Sequence, residues 1–167
     1  TILQEEMDFH ARLSLFNYLR AHGRTDVFPE PEGDAQRLVV MVGQVASGKS
    51  TYVRQHYPDY HVMKFSASGN VSKQQAALRE LLAAGKNVVV DSNNGNAIMH
   101  RAPLIQVAVE LGVPCVCVYI TTTESECRER NKNRPEEERK SFHAFISYNQ
   151  YKVEPSPEEG FAVIIEK

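Results

Sequence analysis

Leu38-Val-Val-Met-Val-Gly43-Gln-Val-Ala-Ser-Gly48-Lys49-Ser50-Thr51 is the stretch on which the reading turns. Five apolar residues running into a glycine predict a strand buried on both faces. Gly43 to Ser50 then fits G-x-x-x-x-G-K-[ST], in which a strand gives way to a glycine loop and the loop opens a helix. Glycine at 43 and 48 lets the backbone turn sharply and approach a ligand closely. The helix starting near Lys49 adds its positive N-terminal end, so the segment is built to cradle phosphate groups. Gly43, Val45, Ala46, Ser47, Gly48, Lys49, Ser50 and Thr51 are therefore the expected binding residues for ATP. Within that set, Lys49 is expected to bridge the β- and γ-phosphates and Ser50 to ligate Mg2+. A second strand, Val88-Val-Val-Asp91, delivers a carboxylate to the same sheet edge, where Asp91 is expected to join Ser50 on the magnesium side by positioning a metal-bound water, the alternative being a polar cap on the strand.

Working outward, the pattern alternates between strand and helix. After the glycine loop come a short apolar run at His61–Phe65 and a helix over Val71–Ala84, read as opened by the box Ser72-x-x-Gln75. The β-branched run Asn87–Asp91 follows, then a helix over Ala97–Leu111 with Ile98, Ala102, Ile105 and Val109 aligned. Cys115–Ile120 reads as another buried strand, the box Thr123-x-x-Glu126 as the start of a helix leading to Arg134. Phe142, Phe145 and Ile146 mark a further helix and Phe161–Ile165 a last strand. This order predicts an α/β fold of the P-loop kinase class, a parallel sheet with helices on both faces, occupying residues 37–167. Residues 1–36 are set apart as an N-terminal helix, with Phe9, Leu13, Phe16 and Leu19 on one face, and a Pro/acidic linker over Arg24–Gln36. The apolar stripe of that helix is expected to pack on the core or to dock on another protein subunit.

Composition sets outer bounds. The 167 residues are 42% hydrophobic and 24% charged, enough apolar material for one core. A formal charge of −2 excludes a broadly basic surface, so nucleic-acid contact would have to come from a local patch. Cys115, Cys117 and Cys127 are expected to be reduced thiols, since neither they nor the six scattered histidines show zinc-ligand spacing. No apolar run approaches the about 20 residues that span a bilayer. A soluble, intracellular protein is the expectation, in cytoplasm, nucleus or an organelle. The chain opens at Thr1 rather than Met, as it would after loss of a tag, a leader or a neighbouring domain.

Arg128, Arg130, Lys132 and Arg134 gather at the end of a predicted helix, before the loop Pro135–Glu138. A solvated face explains such a run, and so does a helix C-terminus that favours cations. Phosphoryl transfer, however, calls for an arginine over the γ-phosphate. Arg134 is the first candidate for that role and Arg130 the second. Tyr148, Tyr151 and Phe142 have a spacing that suits core packing better than base stacking.

Several phrases beyond the glycine loop resemble the kinase domain of polynucleotide 5′-kinases over roughly residues 38–166. They are Asp91-Ser-Asn-Asn94, Ala108-Val-Glu-Leu-Gly-Val-Pro-Cys115, Arg130-Asn-Lys-Asn-Arg134, Ile146-Ser-Tyr148, Glu154-Pro155 and Glu159-Gly-Phe161. The resemblance implies transfer of the ATP γ-phosphate to a 5′-hydroxyl of DNA or RNA, with Lys49, Ser50 and Arg134 at the family's donor-site positions. It also implies an acidic base after the second strand. Counting forward from that strand puts Phe65 at the base position, and counting back from Asp91 puts Ser66 there. Neither is a carboxylate, and general-base help is worth about 10²–10⁴ in rate. Lys64 stands beside them, either as a contact for a substrate phosphate or as an exposed lysine. The family's Asp-x-Asp-Gly-Thr phosphatase signature is absent from these 167 residues. Two classes of function follow as expectations: an ATP-dependent kinase, of the polynucleotide 5′-hydroxyl type or for a small metabolite on the same fold, or a nucleotide-binding pseudokinase serving as a subunit of a larger assembly.

Overall fold

The computed structural model describes residues 35–92 and 97–167. The expected N-terminal helix, nearly all of the Pro/acidic linker and residues 93–96 lie outside them.

Strands β1 (Leu38–Gly43), β2 (His61–Met63), β3 (Val88–Val90), β4 (Cys115–Ile120) and β5 (Val163–Glu166) form one sheet in the order β2-β3-β1-β4-β5. Every pairing is parallel. β1 is the centre of the sheet and all six of its residues are buried, as an apolar run covered on both faces should be. The two-residue period of a strand sends its side chains alternately to two cores. Leu38, Val40 and Val42 join Leu78 and Leu82 of helix α2 (Val71–Ala83) and Leu104 and Ile105 of helix α3 (Ile98–Leu111). Val39 and Met41 join Val53 of helix α1 (Lys49–His56), with Tyr52 and Tyr57 packed against them. Helix α4 (Glu124–Lys132) and helix α5 (Phe142–Tyr151) complete the order of elements.

Register fixes what meets at the carboxyl edge. Gly43 pairs with Ile120, and Val90 pairs with both Val40 and Met63. Asp91 therefore leaves β3 level with the residue that follows β2, which is Lys64. Crevices at the carboxyl ends of the strands are where open α/β sheets bind ligands.

Local expectations fail in three places. Asn70, not Ser72, caps α2, accepting from the Lys73 amide at 3.0 Å, and Gln75 reaches instead to the Pro103 carbonyl of α3. Ile98 and Ala102 are exposed, because the buried face of α3 is Leu104, Ile105, Val107, Ala108 and Val109. Phe142, Ile146 and Tyr151 are also exposed, leaving Phe145 as the core residue of α5. Helical spacing was correct there, but the width of the buried stripe was overestimated.

A buried ion pair closes the sheet's far side. Arg101 of α3 is wholly buried and grips Glu159 through two bonds of 2.7 and 3.1 Å, with a third to the Val153 carbonyl at 2.8 Å. Glu159 also accepts from the Ser156 amide, so α3 is clipped to the turn that leads into β5.

The three cysteines are free and buried. Burial pushes the Cys115 and Cys127 thiols up, and that of Cys117 to about 12. The thiolate is the reactive form, so a raised thiol is inert at neutral pH. Native protein at pH 8 is expected to leave an aromatic disulfide reagent unreacted, and urea-unfolded protein to consume three equivalents. Fast labelling of one thiol in the native state would contradict this burial.

Candidate functional site

Gly43 ends β1 where space is shortest. A Cβ there would come within 2.8 Å of Ser47 Oγ and 3.0 Å of the Ile120 carbonyl. Ala46 and Gly48 take left-handed backbone angles, φ 62° and 103°, which curl the loop into a concave backbone surface. Such turns favour glycine at 48, and a Cβ there would meet the Arg130 guanidinium at 3.0 Å. The underside of the loop is apolar, with Val45 and Ala46 packed on Cys127 of α4 and Phe145 of α5. Its rim is tied by two donors from the segment that follows β4, Thr122 Oγ1 at 2.7 Å and Arg130 Nη1 at 3.0 Å, both to the Ser47 carbonyl. Ser47 Oγ is buried without a hydrogen-bond partner, a polar group left facing the turn.

Lys49 is 5% exposed and its ammonium donates to the Gly43 and Gln44 carbonyls at 2.7 and 2.8 Å. Burial chiefly lowers its pKa to about 8, with Asp91 opposing and Arg134 and Lys64 adding to the fall. The cationic form is thus held at a cost that a bound anion would relieve. At the next residue, Ser50 Oγ donates to Asp91 Oδ2 at 2.7 Å, bringing together the hydroxyl and carboxylate that the sequence paired. The two offer hard oxygen ligands of the kind magnesium takes, and such sites need few protein ligands when phosphates supply the rest.

Two cavities meet over the loop. One, of about 350 Å³, is bounded by Ala46 to Thr51 with Arg54, Arg134 and Glu138. The other, of about 550 Å³, shares Ala46, Ser47, Gly48, Thr51 and Arg134 and adds Tyr52, Gln55, Thr122 and Lys167. Arg134 therefore faces both, and Arg130 lines the larger. Arg128 does not take part: it pairs with Glu124 and lies over the Phe142 and Phe145 rings at 5.1 and 4.9 Å. The basic run is thus divided, with positions 130 and 134 toward the loop and 128 inward to α5. Asn131 braces the segment after α4 through paired bonds to the Lys140 backbone.

Sequence reasoning missed Arg54, Thr122 and Asn131. Arg54 had a signal, lying four residues after Ser50 on the same helix face. Thr122 and Asn131 act through contacts distant in sequence and had none. At the acceptor edge, Phe65 is a core residue and its amide donates to Ser92 Oγ at 2.7 Å. Ser66 is half-buried, its amide bonded to Gln74 and its hydroxyl to Ser68. Neither supplies a carboxylate.

An AAA domain family model matches residues 65–147, beginning downstream of the phosphate loop. The structure is similar to Kti12 of Chaetomium thermophilum, solved in complex with ADP-AlF3. That likeness has a TM-score of 0.57 and 20% identity, over 78% of this chain and 88% of that one. It is also similar to a sugar kinase from Janibacter sp. HTCC2649, with a TM-score of 0.54 and 13% identity, over 78% and 85%. The chain has a P-loop kinase-like fold. The chain is 28% identical over 155 residues to the bifunctional polynucleotide phosphatase/kinase of Schizosaccharomyces pombe. The match spans 38% of the length of that relative and 90% of this chain. Among the described residues, no helix of the domain is long and apolar enough to cross a membrane, and no group of three or more His, Cys, Asp or Glu could hold a metal ion.

Proposed function

We propose that this domain binds ATP with Mg2+ and presents the γ-phosphate for transfer, on a scaffold of the polynucleotide-kinase type. The observation that carries the reading is the convergence of Lys49, Ser50 and Arg134 on one cavity over the loop, with Asp91 hydrogen-bonded to Ser50. Lys49 would leave the loop carbonyls for the phosphates, and its burial makes an anionic partner favourable. Ser50 and Asp91 would hold magnesium, which neutralises charge on the phosphates when bound. Arg134 would offset negative charge on the γ-phosphate, and Arg130 would steady the loop at Ser47. A polynucleotide 5′-hydroxyl is the acceptor suggested by the resemblance and by the relative's name. A second reading, a nucleotide-binding subunit without transfer, is favoured by the apolar burial of Phe65.

Incubation with γ-labelled ATP and a panel of hydroxyl and phosphate acceptors, a 5′-hydroxyl oligonucleotide among them, separates the two. Arg134→Ala is expected to lower transfer about 10³-fold or more, as loss of such an arginine does elsewhere, with ATP still bound. Tight ATP binding with no transfer to any acceptor by the unaltered protein would leave the subunit reading.

A further inference from the structure

Beyond the ends of β2 and β3 the two chains remain stitched together. The Asp91 amide donates to the Met63 carbonyl at 3.0 Å, the Phe65 amide donates to Ser92 Oγ, and Lys64 Nζ donates to the Asp91 carbonyl. The same ammonium lies 3.6 Å from Asp91 Oδ2, the oxygen that accepts from Ser50. Lys64 is thus tethered at its tip beside the phosphate loop, while its side chain is 71% exposed on the open side. Phe65, next in the chain, turns into the core and cannot reach that space. The edge where an acceptor would approach Ser50 therefore presents a fixed cation.

We infer that the acceptor is a phosphate monoester rather than a hydroxyl, with Lys64 binding its phosphate at the edge beside Asp91. This rests on the ATP-binding reading above and names the substrate class that the reading left to resemblance. A hydroxyl must lose a proton as it attacks, which is why a base is worth so much at that point. A phosphate monoester has a second pKa near about 6 and is largely a dianion at neutral pH. One of its oxygens attacks the γ-phosphorus directly. A new P–O–P bond forms, the bond from the γ-phosphorus to the β,γ-bridging oxygen breaks, and ADP leaves with that electron pair. No proton has to be taken from the acceptor, so Phe65 costs nothing there. What such an acceptor needs is relief of repulsion between two anions, and Lys64 supplies it as Lys49 and Arg134 do on the donor side.

The test uses γ-labelled ATP and Mg2+ with three acceptors: a 5′-hydroxyl oligonucleotide, the same oligonucleotide bearing a 5′-phosphate, and adenosine monophosphate. Label is expected on one or both phosphate acceptors and not on the hydroxyl end, and which of the two is labelled tells a polynucleotide source from a free nucleotide. Lys64→Met should raise the acceptor KM about 10- to 100-fold, the effect of losing a charge-assisted contact, with a smaller change in kcat, and Lys64→Arg should restore most of it. Label on the hydroxyl oligonucleotide, or an acceptor KM unmoved by Lys64→Met, overturns the inference. So does ATP binding with no labelled phosphate acceptor, although nucleotide binding then stands. Failure to bind ATP at all removes both.

Discussion

Replacing Lys49 by methionine is expected to weaken nucleotide binding by at least an order of magnitude while leaving the fold almost as stable as before. The ammonium is 5% exposed and its pKa falls from 10.5 to about 8, a depression on the order of 3 kcal/mol against the charged form. Its two bonds to the Gly43 and Gln44 carbonyls, at about 1.5 kcal/mol each, return about 3 kcal/mol. The contributions nearly cancel, and methionine has similar length without a charge to bury. Unfolding without nucleotide should therefore shift by no more than about 1 kcal/mol. Affinity for MgATP should fall much further, because truncating one partner of a buried charge contact costs about 2–5 kcal/mol, or roughly thirty- to a few thousand-fold. Calorimetric titration and thermal unfolding of one preparation measure both. Retained affinity would remove Lys49 from the phosphate site, and a large loss of stability would mean its main work is structural.

Arg101→Ala should do the opposite, destabilising the domain by about 3–5 kcal/mol. Arg101 is wholly buried and Glu159 nearly so, so alanine would strand a carboxylate in the protein interior. For a chain of this size that corresponds to a drop in Tm of about 2–4 °C per kcal/mol. A double change, Arg101→Met with Glu159→Leu, should recover much of the loss by removing both charges together. If alanine costs less than about 1 kcal/mol, the pair is not the clip that its burial implies. Nucleotide affinity of the surviving folded fraction should be little changed, since none of these contacts touches the phosphate loop.

These two sites also mark what could be read from sequence. The strand–loop–helix turn from Gly43 to Thr51 was legible because its pattern sets glycines, a lysine and a hydroxyl at short, local spacing. Asp91 was legible because a β-branched strand ended in a carboxylate, and the structure sets it 2.7 Å from Ser50. The parallel sheet followed from alternating strand and helix patterns, and all five strands occur in the expected order. Arg101 was not legible: an arginine within an apolar helix looks like a surface residue until its partner 58 positions away folds over it. Asn70 was overlooked as a cap because Ser72 with Gln75 made the more familiar pattern, although either spacing is compatible with a helix start. The exposed Phe142 and Tyr151 escaped for a related reason. Periodicity tells which residues share a face, and not how wide a strip of that face the neighbours cover.

The contact of Val45 and Ala46 with Cys127 and Phe145 has a mechanical consequence. The floor of the phosphate loop and the inner side of α4 and α5 share one greasy seam, pinned at its margin by Arg130 and Thr122 on Ser47. Whatever swings to admit or release a ligand, α4 cannot lift away as a free flap without peeling apolar surface from the loop itself. The stretch from Arg134 to Ser141 is braced in turn by Asn131 on the Lys140 backbone and by Arg139 on the Arg134 carbonyl, so the arm carrying Arg134 is tied down at wrist and shoulder alike.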